Sequence, residues 1–264
     1  VTARAALLRG VNVGGPVIAA APRSLTLVSL PFILASALLA ASACAETVLR
    51  SGPARARLVE LYTSEGCSSC PPADAWLSSL AGERGLWKDF VPVEFHVTYW
   101  DDLGWPDRLA DKAFTARQRA YAASWGRDSV YTPGFVLDGR EWRAWGRTPP
   151  KPDAAAGVLI ARAADGRVRV TWTPAAEGAA FDVYAARLGF GLLTRVGAGE
   201  NSGRALRHDF VARSLSRAAL TRKDGRWSAE LDLPPAAAGE RAGLAVWIAG
   251  PDGRPLQAAG GFLH

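Results

Sequence analysis

Apolar residues recur along this chain in two rhythms, and the change from one to the other marks its plan. A short apolar run from Leu58 to Tyr62, interrupted only by Glu60, predicts a buried strand. A turn through Ser64, Glu65 and Gly66 follows, and from Pro71 to Leu80 the apolar residues return at helical spacing. Two prolines in succession fit only the first turn of a helix, where no intrahelical donor is needed, so Pro71 and Pro72 fix where that helix begins. In the stretch 91–99, Val93, Phe95, Val97 and Tyr99 alternate with Glu94, His96 and Thr98, which predicts a second strand. An aromatic, turn-rich stretch over 100–111 then feeds a polar helix over 112–125. A helix between two strands is the usual device for making them parallel. Tyr131-Thr132-Pro133 precedes a predicted hairpin, Phe135 to Leu137 turning at Asp138-Gly139 into 141–145, and an Ala-rich helix is predicted over 154–163.

From Gly166 onward the rhythm is period two throughout. Alternating segments at 168–173, 181–188, 192–196, 205–220, 227–233, 244–249 and 256–263, separated by turn residues, suit an antiparallel β-sandwich. The expected organisation is an α/β domain over 57–163, with a central mixed sheet flanked by helices, and a sandwich-like β domain over 164–264. A linker occupies 46–56. Residues 1–45 belong to neither domain. Arg4, Arg9 and Arg23 precede the apolar run Leu25 to Leu39, which ends in the small residues Ala40 to Ala45, the layout of a secretory signal. Export, to the periplasm or beyond, is therefore expected, with an uncleaved membrane anchor as the alternative. Cleavage after Ala45 would leave Cys67 and Cys70 as the only cysteines, whereas Ala41-Ser42-Ala43-Cys44 weakly resembles a lipid-anchoring site at Cys44.

Charge changes the picture little. The formal +6 falls to +3 without the first 44 residues, from 28 basic and 25 acidic side chains that are interspersed. No run of Lys or Arg marks a nucleic-acid footprint, and no membrane partner is expected after cleavage.

The candidate chemistry lies in Cys67-Ser68-Ser69-Cys70, where a strand hands over to a helix. Unpaired N–H groups and the positive dipole end of a helix favour a thiolate, and a cysteine so placed can titrate at roughly 3.5–7.5 instead of about 8.5. The expected reading is thiol–disulfide exchange, with Cys67 attacking and Cys70 resolving, and with no bound cofactor. It requires both sulfurs to reach solvent beside Pro133. The alternatives are a metal carrier holding Cu or Zn through Cys67, Cys70 and His96, and an inert structural disulfide in a binding protein.

The motif and the element order together resemble the thioredoxin-like fold over 57–163. More narrowly, ELYTSEGCSSCPPAD, HVTYWDDLGWPD, AFTARQRAYA and SVYTPGFVLDGR, in that order, resemble a family of secreted bacterial proteins of unknown function, domain-of-unknown-function family 1223. The resemblance implies a cis proline at Pro133 beside the dithiol, with Thr132 offering its backbone to an extended substrate. Tyr99 and Trp100, after the second strand, are the expected walls of a cleft for protein or small-molecule disulfides. Glu60, a carboxylate in mid-strand, is either a proton relay to Cys70 or a salt-bridged residue. His96 is a core histidine or a third metal ligand. Arg117, Gln118 and Arg119 are expected on a solvated helix face.

Overall fold

Residues 14–15, 46–152, 154–176 and 180–263 are described by a computed structural model. The expected signal over 1–45, with Cys44, lies outside the described residues except for Gly14 and Gly15. Among the described residues no helix is long and apolar enough to cross a membrane.

In chain order the elements are β1 (Thr47–Arg50), β2 (Arg57–Thr63), α1 (Pro71–Ser79), β3 (Phe90–His96), α2 (Lys112–Ser124), β4 (Gly134–Leu137), β5 (Arg140–Glu141), β6 (Gly157–Ala164), β7 (Arg167–Pro174), β8 (Asp182–Arg195), β9 (Ala205–Ala219), β10 (Thr221–Lys223), β11 (Arg226–Asp232), β12 (Arg241–Ala249) and β13 (Pro255–Phe262). Single 3-10 turns follow α1 at Leu80–Gly82 and β3 at Thr98–Leu103. The expected crossover is present, with β2 and β3 parallel in register from Arg57↔Phe90 to Thr63↔His96 and α1 between them in sequence. Strands covered on both faces read as continuous apolar runs, which is why neither strand shows clean alternation of burial. β4 returns antiparallel to β2, and Asp138 (φ +48°) with Gly139 (φ +78°) supplies the two left-handed positions of a two-residue hairpin turn.

These strands form part of an eight-stranded mixed sheet, in the order β13-β12-β8-β9-β3-β2-β4-β5. With its flanking helices it is consistent with a thioredoxin-like arrangement that carries an added β-rich region. The joint is β9, which runs parallel to β3 with Val211 opposite Glu94. A second, five-stranded sheet has the order β1-β6-β7-β11-β10. Period two along β12 serves two cores at once. Leu244, Val246 and Ile248 join the cluster holding Leu159, Val168, Val170 and Trp172 of the second sheet, while Ala245 and Trp247 join the one holding Leu58, Leu61, Val93 and Phe95.

Three expectations are corrected. The stretch 154–163 is largely strand, not helix: alanine favours a helix in isolation, but Leu159, Ala161 and Ala163 alternate inward, and pairing to both β1 and β7 overrides propensity. The linker over 46–56 contains β1, whose Thr47 and Leu49 are buried. The border expected at 163/164 does not separate the sheets, since strands before and after it complete both.

Candidate functional site

The reactive turn begins where β2 ends. Cys67 and Cys70 are joined as a disulfide with Cα atoms 5.5 Å apart, and Cys70 stands at the N-terminal boundary of α1. Both cysteines are 0 % exposed, whereas Ser68 and Ser69 between them face solvent. The exchange reading required accessible sulfurs, and this conformation does not provide them. A disulfide sulfur has no hydrogen to donate, so the Ser69 hydroxyl donates to Cys67 Sγ at 3.3 Å. The loop between β8 and β9 is bonded to the backbone of the turn. Asn201 Nδ2 donates to the carbonyls of Glu65 and Cys67, at 2.9 Å each, and Glu200 accepts the Ser68 N–H at 2.9 Å.

An aromatic residue also lies against the turn. A Cβ on Gly66 would stand 3.3 Å from Trp100 Cβ, so the turn backbone lies directly against that residue. Trp100 Nε1 donates to Thr132 Oγ1 at 2.8 Å, and the Thr132–Pro133 peptide is cis. Tyr99 donates to Gln118 Oε1 at 3.2 Å, and Gln118 donates to the Tyr131 carbonyl at 2.8 Å. Trp100 thus links the turn to Thr132, the residue before Pro133, while Tyr99 is tied through Gln118 to Tyr131.

Behind the turn lies a buried ionisable network. Asp107 Oδ2 accepts both the Glu65 N–H, at 2.9 Å, and His96 Nδ1, at 2.7 Å. His96 Nε2 and His208 Nδ1 both converge on Glu94 Oε1, at 2.8 and 2.7 Å, with the two rings edge to face at 4.8 Å. Thr63 donates to Asp74 Oδ1 at 2.6 Å. Burial opposes charge on His96, but the carboxylates of Asp107 and Glu94 outweigh it and hold the ring well above its ordinary value. Burial, followed by the charge of Glu94, pushes the Asp74 carboxyl up to about 7.

A family profile described as "Protein of unknown function (DUF1223)" matches residues 58–249. The chain belongs to the DUF1223 family. No curated protein matches it significantly. Among solved structures, the DUF1223 chain is similar to protein AGR_C_4864 from Agrobacterium tumefaciens, with 25 % identity, a TM-score of 0.55, and coverage of 80 % of this chain and 95 % of that one. It is also similar to HBP35 of Porphyromonas gingivalis, with 14 % identity, a TM-score of 0.52, and coverage of 81 % and 76 %, a likeness of fold alone. The DUF1223 match runs across residues 163/164 and reaches the end of β12, so it takes in both the Cys67–Cys70 turn and the loop bonded to it.

In the DUF1223 chain Glu60 takes the salt-bridged one of its two expected arrangements: Arg117 Nε donates to Oε1 at 2.6 Å and the Tyr121 hydroxyl to Oε2 at 2.8 Å. The Arg117 side chain is accordingly largely covered and turned inward, with its guanidinium over the rings of Tyr121, Tyr184 and Trp247 at 5.0, 4.9 and 4.8 Å. Gln118 is buried, and only Arg119 of the three is exposed. The alternative metal set of Cys67, Cys70 and His96 is also not formed, because both sulfurs are in the disulfide and His96 sits with Glu94 and His208. Sequence reasoning missed Asp74, Asp107, Asn201 and His208. Two carried a signal: Asp74 lies one helical turn after Cys70, and His208 occupies an inward position in the alternation Leu206, His208, Phe210.

Proposed function

We propose that this DUF1223 chain is an exported thioredoxin-like protein that exchanges disulfides with protein or small thiols through Cys67 and Cys70, under control of the loop between β8 and β9. The observation that carries this reading is a Cys-x-x-Cys disulfide at the junction of a core strand and a helix, packed through Trp100 against the Thr132–Pro133 loop. A stability role explains the bond poorly. Four residues form the closed loop, and the chain-entropy relation assigns so short a loop only about 2 kcal/mol.

Access to Cys67 requires Glu200 and Asn201 to release the turn. A substrate thiolate then attacks Cys67 Sγ, the Cys67–Cys70 bond breaks, and Cys70 leaves as a thiolate that takes a proton from solvent. A second substrate thiol resolves the mixed disulfide, so two electrons and two protons pass from the substrate dithiol to the pair. The reverse sequence oxidises the pair at the expense of a substrate disulfide. Export, supported by the arginines and apolar run of 1–45, favours the oxidised resting form.

Burial of both sulfurs favours a second reading, an inert disulfide in a binding protein. Redox titration in glutathione buffers, paired with turnover of a dithiol substrate, separates the two. Exchange predicts a potential above roughly −300 mV and loss of turnover in Cys67→Ser. A potential below that value, or unchanged turnover in the variant, selects the inert form.

A further inference from the structure

The buried network behind the reactive turn contains more polar atoms than its own hydrogen bonds engage. Glu65 Oε1, Asp74 Oδ2, Glu94 Oε2 and His208 Nε2 have no hydrogen-bond partner, although each residue is at most 2 % exposed. A buried polar atom without a partner is costly; Glu65 Oε1 and His208 Nε2 face each other at 3.6 Å, which leaves Asp74 Oδ2 and Glu94 Oε2 to be accounted for. The imbalance is also one of charge. Four carboxyl groups, on Glu65, Asp74, Glu94 and Asp107, face two imidazoles, on His96 and His208, with hydrogen bonds and ion pairs linking them.

We propose that His96 Nε2, His208 Nδ1 and the carboxylates of Glu94 and Asp74 form a four-coordinate site for a divalent transition-metal ion, Zn2+ being the best fit. The proposal goes beyond the exchange reading and does not use the cysteines. One donor atom each from Glu94, His96 and His208 lies within 4.8 Å of the others. The two ring nitrogens are 2.8 and 2.7 Å from Glu94 Oε1, and the unpartnered Asp74 Oδ2 is 4.0 Å from His208 Nδ1. Tetrahedral ligands at 2.0–2.1 Å stand about 3.3 Å apart, and these spacings bracket that value.

The surrounding bonds suit ligation. His96 Nδ1 is held by Asp107, the carboxylate–histidine arrangement that aims the opposite nitrogen at a metal, and Thr63 fixes Asp74 through its other oxygen. Two nitrogens and two carboxylates match the borderline preference of Zn2+ and neutralise its charge, and the absence of exposure at all four residues describes a closed structural site. On binding, the metal replaces the two hydrogens that the rings share with Glu94 Oε1, and these leave as protons. The ion would join α1, β3 and β9, and so tie the helix that carries Cys70 to the later half of the chain.

Because the site is enclosed, the test loads the full chain by refolding it with its disulfide intact in the presence of Co2+ or Zn2+. The expected result is one equivalent retained after dialysis, the strong visible absorption of four-coordinate Co2+ without sulfur-to-metal charge transfer, and a higher Tm. Retention should be lost in His208→Gln and kept in the Cys67→Ser/Cys70→Ser double variant. No retained metal, the weak spectrum of a six-coordinate ion, a sulfur charge-transfer band, or retention unchanged in His208→Gln would overturn the site. Should His208→Gln fail to fold, the Co2+ spectrum of the unaltered chain decides alone.

Discussion

Arg117 shows how much one side chain can hold when its charge is largely enclosed. Its guanidinium bridges Glu60 and the Tyr121 hydroxyl while lying over three aromatic rings, and both Glu60 and Arg117 are largely removed from water. Removing one member of such a pair leaves the other as an uncompensated buried charge, which costs about 3–5 kcal/mol. Arg117→Met should therefore lower unfolding stability by about that amount in urea titration. Adding Glu60→Leu should recover part of the loss, because the stranded carboxylate goes with it. Strictly additive costs in the double variant would show that the pair is not coupled. Tyr62 and Tyr121 belong to the same unit: burial and then the Glu60 charge raise both phenols well above their ordinary value, so they remain hydrogen-bond donors at neutral pH.

Among elements, the hairpin of β8 and β9 carries the most consequence. At its tip Asn201 is buried and bonded to two carbonyls of the reactive turn, and the tip packs on the loop after β3, where a Cβ on Gly199 would come within 3.2 Å of Trp105 Cβ. Midway along its length the hairpin is irregular. The pairing register shifts around Phe190, and Phe210, at φ +62°, is the extra residue of a bulge two positions beyond His208. Bulges of this kind re-aim neighbouring side chains. Asn201→Ala should therefore speed reduction of the Cys67–Cys70 bond by dithiothreitol about tenfold, since deleting bonds to buried carbonyls costs about 1–3 kcal/mol. Stopped-flow rates equal to those of the unaltered chain would mean that the tip does not limit access.

For the molecule as a whole, the shared sheet decides what can fold alone. β3 has β2 on one side and β9 on the other, and the core beneath it includes Ala186, Leu188, Phe210 and Trp247 from the later strands. A fragment ending at residue 163 would expose that face and an unpaired edge of β3, so it should show no cooperative unfolding transition and should aggregate. A dispersed amide spectrum from the 46–163 fragment would refute this.

The chain order was sufficient for whatever depends on neighbours in sequence. Apolar runs bounded by turn residues placed β2, β3 and β4, paired prolines placed the start of α1, and the spacing of Cys67 and Cys70 placed a disulfide site at that junction, because these signals act within a few residues. Tertiary structure alone decided how distant segments use one another. An alanine-rich stretch became β6 because strands waited on both sides, Arg117 turned inward because Glu60 lay 57 positions away, and the reactive turn is held by a loop more than 130 residues later that bonds to its carbonyls. Burial and charge pairing are properties of the assembled sheet, and local pattern carries neither.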